Sequence, residues 1–252
     1  MHEDGKHNLI SAFDHVDTGD ELDAALLVNQ AIDASINAVS VREQVVALAD
    51  SCTGEPWEYL SRTGFAGNRG DYASPSNSCI ADVLKRKTGI PISLGVLLIA
   101  VARLSGRPAH GINFPGHFLV RVGNTLIDPF DMVPTSENER LAAIEGDQPP
   151  DDVFEPVGSA AIAIRMLNNV KYQFAQNRQW RRVLEMLECQ CAITPTEAVF
   201  HFERGEVWRQ LGRLEVAQDA YLSALINASD AGVIKACRRR LAELDPGSGV
   251  VH

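Results

Sequence analysis

The stretch from Pro91 to Leu104, PISLGVLLIAVARL, constrains this chain more than any other. Apolar residues occupy nearly every side of the helix it would form, and such a helix belongs in the middle of a core. Pro91 suits a first helical position and Gly106 suits the turn beyond the last one. Ser93 and Gly95 interrupt the apolar run, which is too short to cross a bilayer.

Amphipathic segments precede it. Thr18 to Glu21 has capping-box spacing ahead of Leu22, Ala25, Leu26 and Ile32, and Ser40 to Glu43 repeats the device ahead of Val45, Val46 and Leu48. Residues 1 to 17 are polar and read as loose. Gly64 to Asn77, rich in Gly, Ser and Asn, reads as loop. Ser76 or Asn77 is placed to cap a helix bearing Ile80, Val83 and Leu84. After Pro108 the pattern turns to strands: Ala109 to Phe114, a Pro115-Gly116 turn, then His117 to Val122 and Thr125 to Asp128 flanking Gly123-Asn124, a hairpin signal.

Toward the C-terminus, helical spacing covers segments near 160–176, 180–193, 196–211, 214–227 and 230–244. Thr194 to Glu197 combines an N-cap, a proline and a capping glutamate. Asn177 with Val183 resembles Gly212 with Ala217 at an offset of about 34–35 residues, the tetratricopeptide period. The chain thus divides into a flexible 1–17, an α+β domain at 18–135 with a small antiparallel sheet, an acidic linker at 136–158, an all-α tetratricopeptide-like domain at 159–246 and a tail at 247–252.

The hairpin register carries the chemistry. A two-residue loop pairs Val122 with Thr125 and Val120 with Ile127. His117 and Asp128 then share a face as diagonal neighbours, about 7–8 Å apart at the backbone. A carboxylate there can fix the tautomer of an imidazole. Such a pair needs a nucleophile, best at a helix N-terminus, and Ser93 is the one reactive side chain in the first turn of the apolar helix. Each residue also has a plainer reading: Ser93 as a cap, Asp128 as a turn starter, Asn77 as a cap rather than an oxyanion donor. Cys79 is the rival nucleophile, or a small buried filler.

The run from Asn77 to Leu94 (NSCIADVLKRKTGIPISL), then Pro115-Gly-His-Phe118, then Ile127-Asp-Pro-Phe130, resembles the bacterial family named after the invasion-gene regulator SirB. The resemblance spans about residues 20 to 245. It implies a papain/transglutaminase-like domain, in which a nucleophile-bearing helix packs on strands that supply histidine and aspartate, followed by tetratricopeptide-type helices. By position it makes Ser93 the nucleophile, His117 the base and Asp128 the orienting acid. Active transglutaminase-like enzymes carry cysteine where Ser93 stands. A thiolate is accessible near neutral pH, whereas a serine hydroxyl needs a full base and oxyanion hole.

That departure favours a non-catalytic, possibly regulatory module (a pseudoenzyme) that binds a protein or peptide through the old cleft or the helical repeats. The alternatives are a serine-dependent amidase, peptidase or acyltransferase on Ser93, His117 and Asp128, or a buried polar network that fixes the fold. The net charge of −10 argues against nucleic-acid or anionic-membrane partners. No cofactor motif and no metal-binding spacing is present. Five cysteines without a CxxC read as free thiols of a reducing compartment, and MHEDGKHNLI lacks the pattern of a signal peptide, so the expected location is cytoplasmic.

Overall fold

The computed structural model describes residues 3–144, 149–150 and 152–244. In chain order the elements are α1 (Glu3–Phe13), α2 (Glu21–Ile32), α3 (Ala38–Asp50), α4 (Pro56–Arg62), β1 (Ala66–Gly67), α5 (Ile80–Arg86), β2 (Thr88–Gly89), α6 (Pro91–Leu104), β3 (Ala109–Ile112), β4 (Leu119–Val122), β5 (Thr125–Asp128), β6 (Val133–Thr135), α7 (Glu137–Ala142), β7 (Pro156–Val157), α8 (Ser159–Gln176), α9 (Trp180–Ile193), α10 (Ala198–Gln210), α11 (Leu214–Asn227) and α12 (Ala231–Leu244). They form two compact units, divided between Val170 and Lys171 inside α8. No described helix is long and apolar enough to cross a membrane.

The first unit is α+β, as expected, but runs to Val170 rather than ending at 135, and is built around α6. Every residue from Pro91 to Ala102 is buried. Helices α2, α3, α4 and α5 and strands β3 and β4 all pack against it. Its approach to the sheet depends on Gly95, where a Cβ would lie 2.6 Å from the Phe118 ring. The sheet is antiparallel, in the order β6-β5-β4-β3-β7, and the hairpin has the expected register, Val122 opposite Thr125 and Val120 opposite Ile127.

Several local expectations change. Within the stretch expected as loose (1–17), the described residues from Glu3 on are ordered: α1 packs on α2 and buries Phe13, while Val16 is buried in the short 3-10 turn that follows. The spacing of Leu9, Phe13 and Val16 was the helical signal there. Asp20, with Asp23, caps α2, and Asn37, not Ser40, caps α3. Helix α5 has no local cap; Asn29 on α2 accepts the Ile80 N–H at 2.7 Å and donates to the Ser78 carbonyl at 3.2 Å. Cys79 is thus the residue before α5, not inside it.

The stretch expected as an acidic linker (136–158) is built into the first unit where it is described. It contains α7, and β7 adds to the sheet beside β3. Ile144, Val153 and Phe154 cover the apolar cluster Ile112, Phe114, Leu119 and Leu126 on the sheet. An acidic run can be ordered when its few apolar residues have a sheet face to bury. Residues 145–148 and 151, and the expected tail at 247–252, lie outside the described residues.

All regular elements among the described residues of the second unit are helices. It contains a repeated geometry. Arg178 (φ +53°) and, 34 residues later, Gly212 (φ +71°) take the left-handed conformation just after a helix. The Gln179 N–H donates to Phe174 and the Arg213 N–H to Trp208 at the same offset. Val183 and Ala217 are both buried. Helix α10 does not begin with Pro195; Glu197 is its N-cap, and its side chain accepts the Val199 N–H. Gly205 lets the Tyr221 ring lie on the α10 backbone.

Gly95→Ala should lower the unfolding free energy by about 1–3 kcal/mol, the usual cost of overpacking a filled core. Urea unfolding followed by circular dichroism measures this, and unchanged stability would show that α6 and Phe118 have room to part.

Candidate functional site

Pro115 and Gly116 form the turn that delivers His117 to the sheet. The His117 N–H donates to the Phe114 carbonyl at 3.0 Å, and Gly116 has φ +70°, a conformation glycine adopts without steric cost. The β4–β5 register then sets Asp128 across from it. His117 Nε2 lies 2.8 Å from Asp128 Oδ1. Asp128 is 5% exposed and is satisfied by two further donors: the Phe130 N–H at 2.9 Å on Oδ1, and Arg140 Nη2 at 2.8 Å on Oδ2. Burial pushes its carboxyl up, but the His117 bond and charge, the Phe130 N–H and the Arg140 guanidinium together outweigh burial and hold it below its ordinary value. An ionised carboxylate only accepts, so in the neutral ring Nε2 carries the proton and Nδ1 keeps its lone pair.

Arg140 was the sole base in the run from Pro134 to Ala160, among seven acids. Helix α7 positions it: Ser136 and Glu139 form a capping box, and Arg140 Nε donates to Thr135 Oγ1 at 3.0 Å.

Ser93 lies in the first turn of α6. It is fully buried. Its hydroxyl donates to the Asn77 carbonyl at 2.5 Å and accepts the Ile90 N–H at 3.2 Å, with the Ile90 carbonyl 3.1 Å away. Among the described residues it hydrogen-bonds neither His117 nor Asp128. The sequence placed it correctly in the first turn of α6 but could not show which way that turn faces.

Asn77 is also fully buried, and its side chain has no donor left for an oxyanion. Nδ2 donates to the carbonyls of Asp71 (2.6 Å) and Tyr72 (3.2 Å), while Oδ1 accepts from Asn68 Nδ2 (3.0 Å) and Arg86 Nη2 (3.2 Å). It organises the loop between β1 and α5. Cys79 is 2% exposed, and burial pushes its thiol up, away from the thiolate a nucleophile requires. A cavity of about 630 Å³ bounded by Asn37, Gln44, Ser76 and Lys85 reaches Cys79 but not His117, Asp128 or Ser93.

Aromatic residues that sequence reasoning did not select border the pair. Phe130, two residues after Asp128, lies against the Gly67 backbone, whose N–H donates to the Phe130 carbonyl at 2.7 Å. Tyr72, half exposed, has its ring centroid 6.1 Å from that of Phe130. Arg69 stacks on the same ring at 5.0 Å and pairs with Asp131. Among the described residues no group of three or more His, Cys, Asp and Glu is placed to hold a metal ion.

Because its carboxyl titrates lower in the folded chain, Asp128 contributes stability that is present above the ordinary carboxylate pKa and is lost as pH falls through the lowered folded value. Asp128→Asn should therefore destabilise the protein at pH 7, by about 1–3 kcal/mol for removing a charged hydrogen-bond acceptor. The gap from wild type should close as urea titrations move into acid. A gap independent of pH would mean that shape, not charge, is what Asp128 supplies.

Comparison with known proteins agrees with this architecture. Residues 28–168 match the family model described as the transglutaminase-like superfamily. Over 173 residues the chain is 32% identical to a UPF0162 protein of Xylella fastidiosa, covering 64% of this chain and 62% of that one. It is 25% identical over 163 residues to Protein SirB1 of Salmonella typhimurium, covering 61% of each. A stretch of 73 residues, 27% of the chain, is 44% identical to 12% of F-box only protein 21 of Mus musculus. The match thus spans somewhat less than two thirds of the UPF0162 and SirB1 relatives, and no solved structure matches. The matched residues include α6, the sheet strands β3 to β7 and the His117–Asp128 pair, and with them the chain belongs to the transglutaminase-like superfamily, as a relative of SirB1.

Proposed function

We propose that this protein is a non-catalytic member of its superfamily that binds a protein or peptide. The observation that carries the reading is the state of Ser93. Its hydroxyl is buried and spent on the backbone of Asn77 and Ile90. A nucleophile must reach a carbonyl carbon and pass its proton to a base, and a hydroxyl committed in this way does neither. What remains is a partly exposed His117 held by the buried Asp128, with Phe130 beside it and Tyr72 beyond, a surface suited to holding an extended chain. The 34-residue repetition in the second unit supports helices of the tetratricopeptide type, which display a groove for a partner. The acidic charge disfavours nucleic acid as that partner.

The rival reading is a serine-dependent amidase, peptidase or acyltransferase on Ser93, His117 and Asp128. The 2.8 Å His117–Asp128 bond favours it, and the burial of Ser93 stands against it.

A fluorophosphonate probe, with adducts located by mass spectrometry, separates the two. No adduct is expected on Ser93 in wild type. An adduct there that disappears in His117→Ala would overturn the non-catalytic reading. Ser93→Ala should instead cost about 1–3 kcal/mol of stability, because it leaves the buried Ile90 N–H without its partner. Full stability in that variant would remove the structural role assigned to the hydroxyl.

A further inference from the structure

Arg165, on α8 within the first unit, stands apart from the arginines around it. Arg103, Arg121 and Arg140, which also border the sheet, each meet a carboxylate: Glu21, Glu137 and Asp128. Arg165 meets none among the described residues. Its partners are neutral: Asn113 Oδ1, the Phe114 carbonyl at 3.3 Å and the face of Phe118, 5.9 Å from the ring centroid. Both hydrogen bonds fall on Nη1. Nε and Nη2 make no bond to a described residue, yet neither is among the buried atoms that lack a partner, so solvent reaches them. Burial nonetheless pulls the guanidinium below its ordinary value, the mark of a desolvated cation without a counter-ion.

Its place is what gives this a use. The Phe114 carbonyl that accepts from Arg165 also accepts the His117 N–H, so the cation sits one carbonyl away from the His117–Asp128 pair. The Tyr72 phenol is within electrostatic range of it. A guanidinium offers paired N–H donors that match the two oxygens of a carboxylate, and partial burial strengthens such a bond.

We propose that the surface beside His117 binds a peptide ligand through a carboxylate, received by the free edge of Arg165. The inference rests on the peptide-binding reading and narrows it to ligands with an acidic group, either a chain end or an acidic side chain.

The test is an NMR titration of the full chain, observing the Arg165 guanidinium and the His117 ring. Three small probes are compared: N-acetylglycine for a chain-end carboxylate, N-acetylglutamic acid α-amide for a side-chain carboxylate, and N-acetylglycinamide with neither. Saturable shifts at both residues are expected with at least one acid and not with glycinamide, and the tighter acid identifies the source. Arg165→Gln should weaken binding about tenfold or more, the equivalent of one charge-assisted bond. Arg107→Gln, which changes a cation already paired with Glu55 away from this surface, should bind as wild type does. If Arg165→Gln fails to fold, Arg165→Lys keeps the charge without the fork and is expected to bind more weakly than wild type. No saturable shifts, equal shifts with glycinamide, or undiminished affinity in the folded Arg165 variant would overturn the proposal. The two readings fail separately. Glycinamide binding as tightly as the acids leaves a binding cleft without carboxylate preference, whereas an adduct on Ser93 removes the non-catalytic reading and leaves the titration result standing.

Discussion

Burial of α6 from Pro91 to Ala102 is the constraint on which the first unit depends. A helix that starts inside a core has N–H groups at its first turn that water cannot reach, and each must find a partner. Ser93 supplies one by accepting the Ile90 N–H, while the proton of its hydroxyl goes to the Asn77 carbonyl. The loop ahead of α5 is thereby tied to the start of α6, and the Asn77 side chain ties the same loop to Asn68, Asp71, Tyr72 and Arg86. Ser93 is part of the framework, and its hydrogen bonds hold the start of α6 and the loop ahead of α5 together.

The opposite side of α6 carries the part of the fold that faces outward. Gly95 lets Phe118 approach, and the hairpin built on that contact holds His117 and Asp128 at its edge. Arg140 reaches Asp128 from α7, so the carboxylate is locked by three donors and stays charged. Such an aspartate orients the imidazole firmly.

Much of this was legible in the residues, and the failures share a cause. The position of α6 followed from its uniform apolarity. The His117–Asp128 pairing followed from Gly123-Asn124, because a two-residue loop fixes register. The paired helix ends at Arg178 and Gly212 were legible only in part, since the sequence reading aligned Gly212 with Asn177. These signals are local in sequence. The direction of the Ser93 hydroxyl, the partner of Arg140 and the cap of α5 are settled by residues on other elements, 16, 12 and 51 positions away. Sequence spacing on one element carries no record of them. The acidic stretch misled for a related reason: charge reports what faces water, and the sheet cover is made by the few apolar residues between the charges.

The remote cap on α5 has a kinetic meaning. A helix with its own cap can begin to form in isolation, but the first turn of α5 is closed by Asn29, 51 residues earlier in the chain. Its seven residues are too few to persist alone in water. Helix α5 therefore acquires its start only when α2 has docked, a loop closure of high sequence separation that belongs late in the order of events. Amide exchange at Ile80 then registers the parting of two helices rather than the fraying of one.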